Sequence, residues 1–130
     1  MQNLDIKCIV SGNDTEGTVA GFEEIVQPGG GPPLHTHETQ YEVFHVISGH
    51  IQFEVDGERL DVHAGGIALI PPKAKHAFIN KSEGESVIHF ELFPAGDSEA
   101  FFAKLVSGDF SDLPAFFEEH GLKLLGPPIE

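Results

Sequence analysis

Histidine and glutamate side chains lie at spacings in this sequence that could hold a metal ion. One residue separates His35 from His37, so on an extended chain both side chains point to the same side. Glu42 follows across a short stretch that favours a bend, so its carboxylate can return to the same centre. A second segment, 65–80, contributes His76. Imidazole together with carboxylate suits divalent transition metals, so the sequence predicts a metal site.

Other residues that could do chemistry have weaker signals. Ser48 lacks the histidine and aspartate arrangement of a serine hydrolase. The glycine run 29–31 lacks the Gly-Lys-Ser/Thr ending of a phosphate-binding loop. His45 is out of phase with Glu42 on the same predicted strand, so we interpret it as a surface or interface histidine. We assign no chemistry to three histidines at turns or a helix end: His50, His63 and His120.

Four further residues have a structural interpretation or an orientation that stays open. We predict that Cys8 is a small, buried apolar residue. Asn80 is expected to bond a turn or strand backbone and not a ligand. The orientation of His89 and Glu91 stays open, because the stretch 86–93 is apolar enough for either face to point inward.

Length and composition favour one small domain. A chain of 130 residues can bury a core without disulfides, and its single cysteine cannot form one internally. The net charge of −14 repels phosphate backbones and acidic membrane surfaces, so we expect neither nucleic acid nor a membrane as partner. The start of the chain does not resemble a signal peptide, and no apolar run reaches the ~20 residues of a membrane span. We therefore expect a soluble, cytoplasmic protein.

Short strands separated by glycine and proline turns must position the candidate ligands. Leu4, Ile6, Cys8 and Val10 alternate with polar residues, which is the period of a strand. The pair Asp56-Gly57 indicates a hairpin, and the run 28–33 indicates a loop. Many short strands of this kind predict an all-β sandwich or barrel. The predicted strands are 4–10, 18–26, 42–48, 51–55, 59–63, 67–70, 76–80 and 86–93.

The sequence changes character after Pro94. Asp97 or Ser98 can cap a helix through Val106, and Asp112 can cap a second helix that ends before Gly121. Their apolar residues are predicted to dock on the barrel, and the tail 122–128 is apolar enough to pack down as well. We therefore predict a β-barrel over residues 1–95 and a helical extension over 96–130, packed together as one domain. The docking residues are Phe101, Phe102, Leu105, Phe116 and Phe117.

Both histidine-bearing segments resemble the signatures of the cupin superfamily. The first signature reads Gly, five residues, His-x-His, three or four residues, Glu, six residues, Gly. The second signature reads Gly, five residues, Pro-x-Gly, two residues, His, three residues, Asn. Lys73 stands where the second signature has Gly, which leaves the shape of the turn before His76 open and would place a cation near the barrel mouth. The matching positions are Gly29, His35, His37, Glu42 and Gly49 in the first, and Gly65, Pro71, His76 and Asn80 in the second.

The stretch from His35 to Phe44 resembles the metal-binding segment of small, single-domain quercetin-dioxygenase-like cupins. The resemblance implies a cupin jelly-roll, also called a double-stranded β-helix, with short C-terminal helices. It implies one divalent metal (Fe, Mn, Ni, Co, Cu or Zn) held by His35, His37, Glu42 and His76, with coordination positions left open. It further implies that Glu42 acts as a catalytic base as well as a ligand, and that the protein forms a homodimer.

Three functions are compatible with such a site. The first is a metal-dependent dioxygenase for a small flavonol-like or otherwise enolisable aromatic compound. The second is a non-redox, metal-dependent isomerase or decarboxylase, and the third is a small-molecule-binding barrel without turnover. Four side chains expected to face the interior, Phe44, Val46, Phe53 and Phe78, favour a mostly apolar ligand in each case.

Overall fold

The computed structural model describes residues 4–130 and consists mainly of short β-strands. A 3₁₀ turn, Gly12–Thr15, follows the first strand, and two α-helices precede the last one. The strands are β1 Asp5–Val10, β2 Ala20–Val26, β3 Pro33–His37, β4 Tyr41–Ser48, β5 His50–Val55, β6 Glu58–His63, β7 Ile67–Ile70, β8 His76–Asn80, β9 Ser86–Phe93 and β10 Leu122–Pro128, and the helices are α1 Ser98–Ser107 and α2 Leu113–Glu119.

The strands form two five-stranded antiparallel sheets with the orders β1-β2-β9-β4-β7 and β10-β3-β8-β5-β6. Strands distant in sequence become neighbours, as where β9 lies between β2 and β4. This arrangement confirms the predicted jelly-roll barrel. Among residues 4–130, no helix is long and apolar enough to cross a membrane.

The apolar core lies between the two sheets. The interior side chains predicted from the strand period are buried there, including Phe44 at 3% exposure and Phe53 at 0%. On β9 the buried positions alternate with half-buried ones, so His89 and Glu91 lie on the outer face. The structure therefore resolves the orientation that the apolar sequence of this strand left open.

The hairpin between β5 and β6 follows the sequence signal directly. Asp56 and Gly57 both have positive φ angles, 48° and 86°. Two such residues in sequence are the requirement of a type I′ turn, whose twist matches that of the flanking strands. The turn fixes the register in which Val55 pairs with Glu58.

The C-terminal segment contains the two predicted helices and one strand that the sequence pattern did not predict. Asp112 caps α2 by accepting a hydrogen bond from the amide of Ala115. After α2 the chain forms β10, which pairs with β3 from Leu122 opposite His37 onward. The tail thus packs down, as expected, by extending a barrel sheet. The helices add an aromatic cluster that includes Phe101, Phe116 and Phe117.

Two sequence predictions about local structure are wrong. Cys8 is exposed, because β1 is an edge strand with a bulge between Cys8 and Val10 that interrupts its alternation. The predicted loop 28–33 also extends one residue too far, since Pro33 already belongs to β3. A proline is tolerated at that position because it is the first residue of the strand.

Candidate metal centre

Strands β3, β4 and β8 bring the four candidate ligands together. His35 and His37 share one face of β3, and His35 lies opposite His76 of β8 in the register. Glu42 reaches the same point from the start of β4. Each residue offers one donor atom, and these atoms all lie within 4.8 Å of one another. All four residues are buried, with exposures from 1% to 7%.

Each of the three imidazole rings has a partner at Nδ1, which for His37 is Oε1 of Gln40 at 3.3 Å. Nδ1 of His35 lies 2.7 Å from the carbonyl oxygen of Pro33, and Nδ1 of His76 lies 2.9 Å from that of Ala74. A carbonyl can only accept, so Nδ1 carries a proton in both rings, and Nε2 is the nitrogen that faces the centre. Such partners fix the tautomer and ring direction of metal-binding histidines.

Nε2 atoms of two histidines converge on the carboxylate of Glu42. The distance to Oε1 of Glu42 is 3.3 Å from His37 and 3.2 Å from His76. Ligands 2.0–2.2 Å from one ion in tetrahedral or octahedral geometry lie about 3.0–3.5 Å apart. The donor set therefore fits a divalent transition ion in both chemistry and spacing.

Burial and mutual charge set the ionisation of the cluster. Burial by itself would raise the pKa of Glu42, but the positive charge and hydrogen bond of His37, followed by His76, hold it well below its ordinary value. Burial lowers the pKa of His35 well below its ordinary value, with His76 and His37 adding to the effect. Burial opposes a charge on His37, but the charge and hydrogen bond of Glu42 raise the pKa of His37 above its ordinary value. The metal-free site thus pairs the Glu42 carboxylate with His37, and metal binding would release the His37 proton.

Lys73 occupies the turn before His76 in a left-handed backbone conformation. Its φ angle of 70° lies in the left-handed region that favours glycine. The amide of Lys73 donates a 2.8 Å hydrogen bond to the carbonyl oxygen of His37, which ties this turn to β3. The side chain is exposed. The lysine therefore adopts the backbone conformation that the cupin signature assigns to glycine.

Asn80 connects the strands behind the site, as the sequence predicted. Its side-chain amide donates to the carbonyl oxygens of Val26 and Gly84 at 2.9 and 3.0 Å. Its carbonyl oxygen accepts hydrogen bonds from Ser82 and Ser86. The residue is 2% exposed, and its four contacts satisfy its polar atoms, so its role is structural.

The remaining histidines do not join the cluster. His45 faces outward, as predicted, and pairs with Glu91 at 2.8 Å. His50 forms a 3.0 Å contact with Asp61 and stacks on His63. The other two are paired on the outside of the barrel, His89 with Glu23 and His120 with Asp97.

An apolar cavity adjoins the centre, and the C-terminal helices form part of its wall. His35, His37 and Glu42 line it, and its volume is about 50 Å³. A second cavity of about 420 Å³ lies beside the loop at 27–31. The two cavities share Leu4 and Glu24 in their walls. Six phenylalanines line the first cavity: Phe44, Phe78, Phe90, Phe101, Phe102 and Phe117.

Glu24 is a functional candidate that the sequence reasoning missed. It lies on β2 in phase with Phe22 and Val26, so its side chain faces inward, and it is 7% exposed. Burial, and then the charge of Glu42, raises the pKa of Glu24 to about 8. The strand period of Ala20, Phe22 and Val26 placed this carboxyl on the inner face, which is the signal that could have identified it.

Comparison with known proteins agrees with this architecture. A family model described as "Cupin domain" matches residues 22–92, which include all four candidate ligands. The polyketide synthase CurC of Streptomyces cyaneus is 28% identical over 114 residues, spanning 82% of this chain and 74% of that protein.

Two solved structures share the fold. A predicted oxalate decarboxylase from Thermotoga maritima superposes with a TM-score of 0.67 at 16% identity, covering 70% of this chain and 80% of that one. The Cupin_2 domain of an XRE family transcriptional regulator from Enterobacter cloacae has a TM-score of 0.64 at 24% identity, covering 71% and 97%. At such identities the likeness extends to the fold alone.

Proposed function

Since this chain belongs to the cupin family, we propose that it binds one divalent transition metal and acts on a small, mostly apolar, enolisable compound. We propose a quercetin-dioxygenase-like reaction, in which a flavonol-like or other enolisable aromatic compound is oxidised by dioxygen. One observation carries this proposal: four buried metal-type ligands converge, and three of them line a mainly apolar cavity whose walls include six phenylalanines.

His35, His37, Glu42 and His76 would hold the metal. Fe, Mn, Co, Ni, Cu and Zn all suit this donor set, because occupancy depends on availability as well as affinity. A bound redox metal would act as a Lewis acid toward an oxygen of the bound compound and would provide a route for electrons to dioxygen. The carboxylate of Glu42, which lines the cavity, would take a proton from the bound compound, and the phenylalanine walls would exclude water from the reacting atoms.

A second candidate is proton-transfer chemistry without dioxygen, such as isomerisation or decarboxylation. Two observations favour it. Glu24 adds a second carboxyl to the wall of the same cavity as Glu42, and acid-base chemistry commonly uses two carboxyl groups whose environments separate their pKa values. The curated relative is named a polyketide synthase, and polyketide chains are rich in enolisable carbonyl groups.

The size of the cavity restricts how a ligand can bind. Pockets for small molecules usually have volumes of ~300–1,000 Å³, whereas the cavity at the metal centre has about 50 Å³. A flavonol-like ligand therefore needs the adjoining cavity of about 420 Å³, or a displacement of α1. We propose that the ligand places its oxygen at the metal and its apolar body across both cavities.

We also propose that the protein is a homodimer. Strand β7 forms one edge of its sheet, and its side chains Ile67 and Leu69 are 64% and 59% exposed. Tyr41 and Ile47 of the neighbouring strand extend this apolar surface. Pairing would cover the edge and the surface together. Light scattering coupled to size-exclusion chromatography should give about twice the 14.1 kDa of one chain, and a mass of one chain would contradict the dimer.

Dioxygen uptake tests the proposed reaction. Metal-reconstituted protein is mixed with a panel of flavonols and 1,3-dicarbonyl compounds in an oxygen-electrode cell, beside a His37→Ala, Glu42→Ala double variant. Uptake that requires both compound and intact ligands supports the dioxygenase. Turnover of a compound under nitrogen supports the non-redox candidate. Tight binding without turnover in either atmosphere identifies a binding barrel and contradicts both enzymatic proposals.

A further inference from the structure

Glu24 lies between the cavity at the metal centre and the second cavity beside the loop at 27–31. It lines both of them, together with Leu4. Its position on β2 places it opposite Ile6 on one side and Ile88 on the other, so its neighbours across the sheet are apolar. No lysine, arginine or histidine among residues 4–130 pairs with its carboxyl group. The side chain is thus an acid inside an apolar wall.

A buried carboxyl without a protein partner needs a reason. The other buried polar side chains of the described chain are hydrogen bonded, as Asn80, Ser86 and Ser98 illustrate. Glu24 is 7% exposed and has no hydrogen bond to the rest of the described protein. No fully enclosed side-chain oxygen in residues 4–130 lacks a partner, so the Glu24 oxygens must reach cavity space. Such unpaired groups are costly to bury and often mark functional sites.

Glu24 is not positioned as a further metal ligand. The donor atoms that lie within 4.8 Å of one another belong to His35, His37, Glu42 and His76, and Glu24 is outside this set. Its carboxyl therefore faces the space that a ligand would occupy beyond the metal. A group at this place can contact the ligand without displacing it from the metal.

We propose that Glu24 hydrogen bonds to a second oxygen of the ligand, at a distance from the oxygen that the metal centre holds. This inference rests on the proposed function and deepens it by defining the substrate class. The substrate carries a metal-binding hydroxy-ketone or dicarbonyl group at one end and a hydroxyl or carbonyl group further along an otherwise apolar body. Glu24 is then a specificity-determining residue that touches the substrate.

The protonation of Glu24 follows from the same burial and agrees with this role. Burial raises the pKa of Glu24 to about 8, with the charge of Glu42 adding to the effect. In the metal-free protein at neutral pH the group is therefore mainly a carboxylic acid, which can donate a hydrogen bond to a carbonyl or accept one from a hydroxyl. A neutral partner also avoids the placement of a second negative charge beside Glu42 and an enolate.

Two probes that differ by a single hydroxyl group test the proposal. Kojic acid and allomaltol share a metal-binding hydroxy-pyranone, but only kojic acid carries a hydroxymethyl group at the other end. Their dissociation constants are measured by absorbance titration of metal-reconstituted wild type, Glu24→Gln and Glu24→Leu, with metal content determined in each. Gln keeps a hydrogen-bonding group of similar size, whereas Leu removes the polar group and suits the apolar surroundings, so both variants are expected to fold.

The wild type should bind kojic acid about 5- to 10-fold more tightly than allomaltol, which is the effect of one hydrogen bond. Glu24→Gln should retain that preference, and Glu24→Leu should lose it while binding allomaltol and metal as the wild type does. The carboxylic acid C=O stretching band of Glu24, identified in infrared spectra by its loss in Glu24→Gln, should shift only with kojic acid.

Two results would overturn the inference. Equal binding of both probes by the wild type, or an undiminished preference in Glu24→Leu, would show that Glu24 does not contact the ligand, while metal and probe binding would leave the proposed function intact. If wild type binds neither metal nor probe, the proposed function fails and the role of Glu24 fails with it.

Discussion

The buried carboxyl of Glu24 makes the stability of this protein depend on pH in a defined direction. Burial, and then the charge of Glu42, raises the pKa of Glu24 from 4.5 to about 8 in the folded protein. The unfolded chain has the ordinary value. Because the folded state binds this proton more tightly, the stabilising contribution is fully present below pH 4.5 and is lost as the pH rises through about 8.

The size of the effect follows from the two pKa values. The pKa of Glu24 differs between 4.5 in the unfolded chain and about 8 in the folded protein. At ~1.4 kcal/mol for each pKa unit, this difference contributes on the order of 5 kcal/mol to the free energy of unfolding at low pH. A domain of this kind has a total stability of about 5–15 kcal/mol. The loss of Glu24 stabilisation at alkaline pH should therefore be a large fraction of the whole.

Urea denaturation of the metal-free protein at pH 5 and pH 9 measures this dependence. As the pH rises from 5 to 9, the free energy of unfolding of wild type should fall by several kcal/mol more than that of Glu24→Gln, whose side chain cannot ionise. Glu23→Gln is the matched control, since Glu23 neighbours it on β2 but pairs on the outer face with His89. The reasoning is refuted if the difference between wild type and Glu24→Gln is the same at both pH values.

Three further substitutions test the structure around the site. Lys73→Gly should raise the stability in urea by up to about 1 kcal/mol, because it relieves a side chain at φ 70°, and a loss of stability would contradict the strain. Asn80→Ala should cost about 2–4 kcal/mol in the same assay, because it removes the hydrogen-bond donor of the buried Val26 carbonyl and leaves a void at a residue that is 2% exposed, and a cost below ~1 kcal/mol would contradict its structural role. Gly31→Ala should lower the melting temperature strongly, because a Cβ there would lie 1.8 Å from the carbonyl oxygen of Phe78. Gly84→Ala, where a Cβ meets nothing within 4 Å, should have a small effect, and equal melting temperatures for the two variants would count against that close approach.

Much of the barrel could be predicted because its information is local. Strand periods and glycine turns identified eight of the ten strands over their main extent. The Asp56-Gly57 turn carries its own conformational requirement, and the structure has the expected positive φ angles. The spacing of His35, His37, Glu42 and His76 identified residues that the fold brings within 4.8 Å of one another. These features depend on neighbours in sequence or on a recognisable spacing.

The features that escaped prediction depend on partners far along the chain. Strand β10 contains a glycine and two prolines and becomes a strand because β3 offers it a free edge. Cys8 has the phase of a buried residue, but a bulge and an edge position leave it exposed. The strand period places the side chain of Glu24 on the inner face, but only the packed barrel reveals that it lines the metal cavity.

Metal content tests the central claim most directly. The protein is purified without a metal-affinity tag and its metals are quantified by plasma mass spectrometry, beside two double variants. His37→Ala, Glu42→Ala removes half of the candidate ligands, whereas His45→Ala, Glu91→Ala removes a half-buried histidine–glutamate pair on the outer face of β4 and β9. We predict about one equivalent of a divalent transition metal in wild type and in the outer-face variant, and none in the first variant. The absence of bound metal from wild type after reconstitution, or equal metal in all three proteins, would contradict the claim.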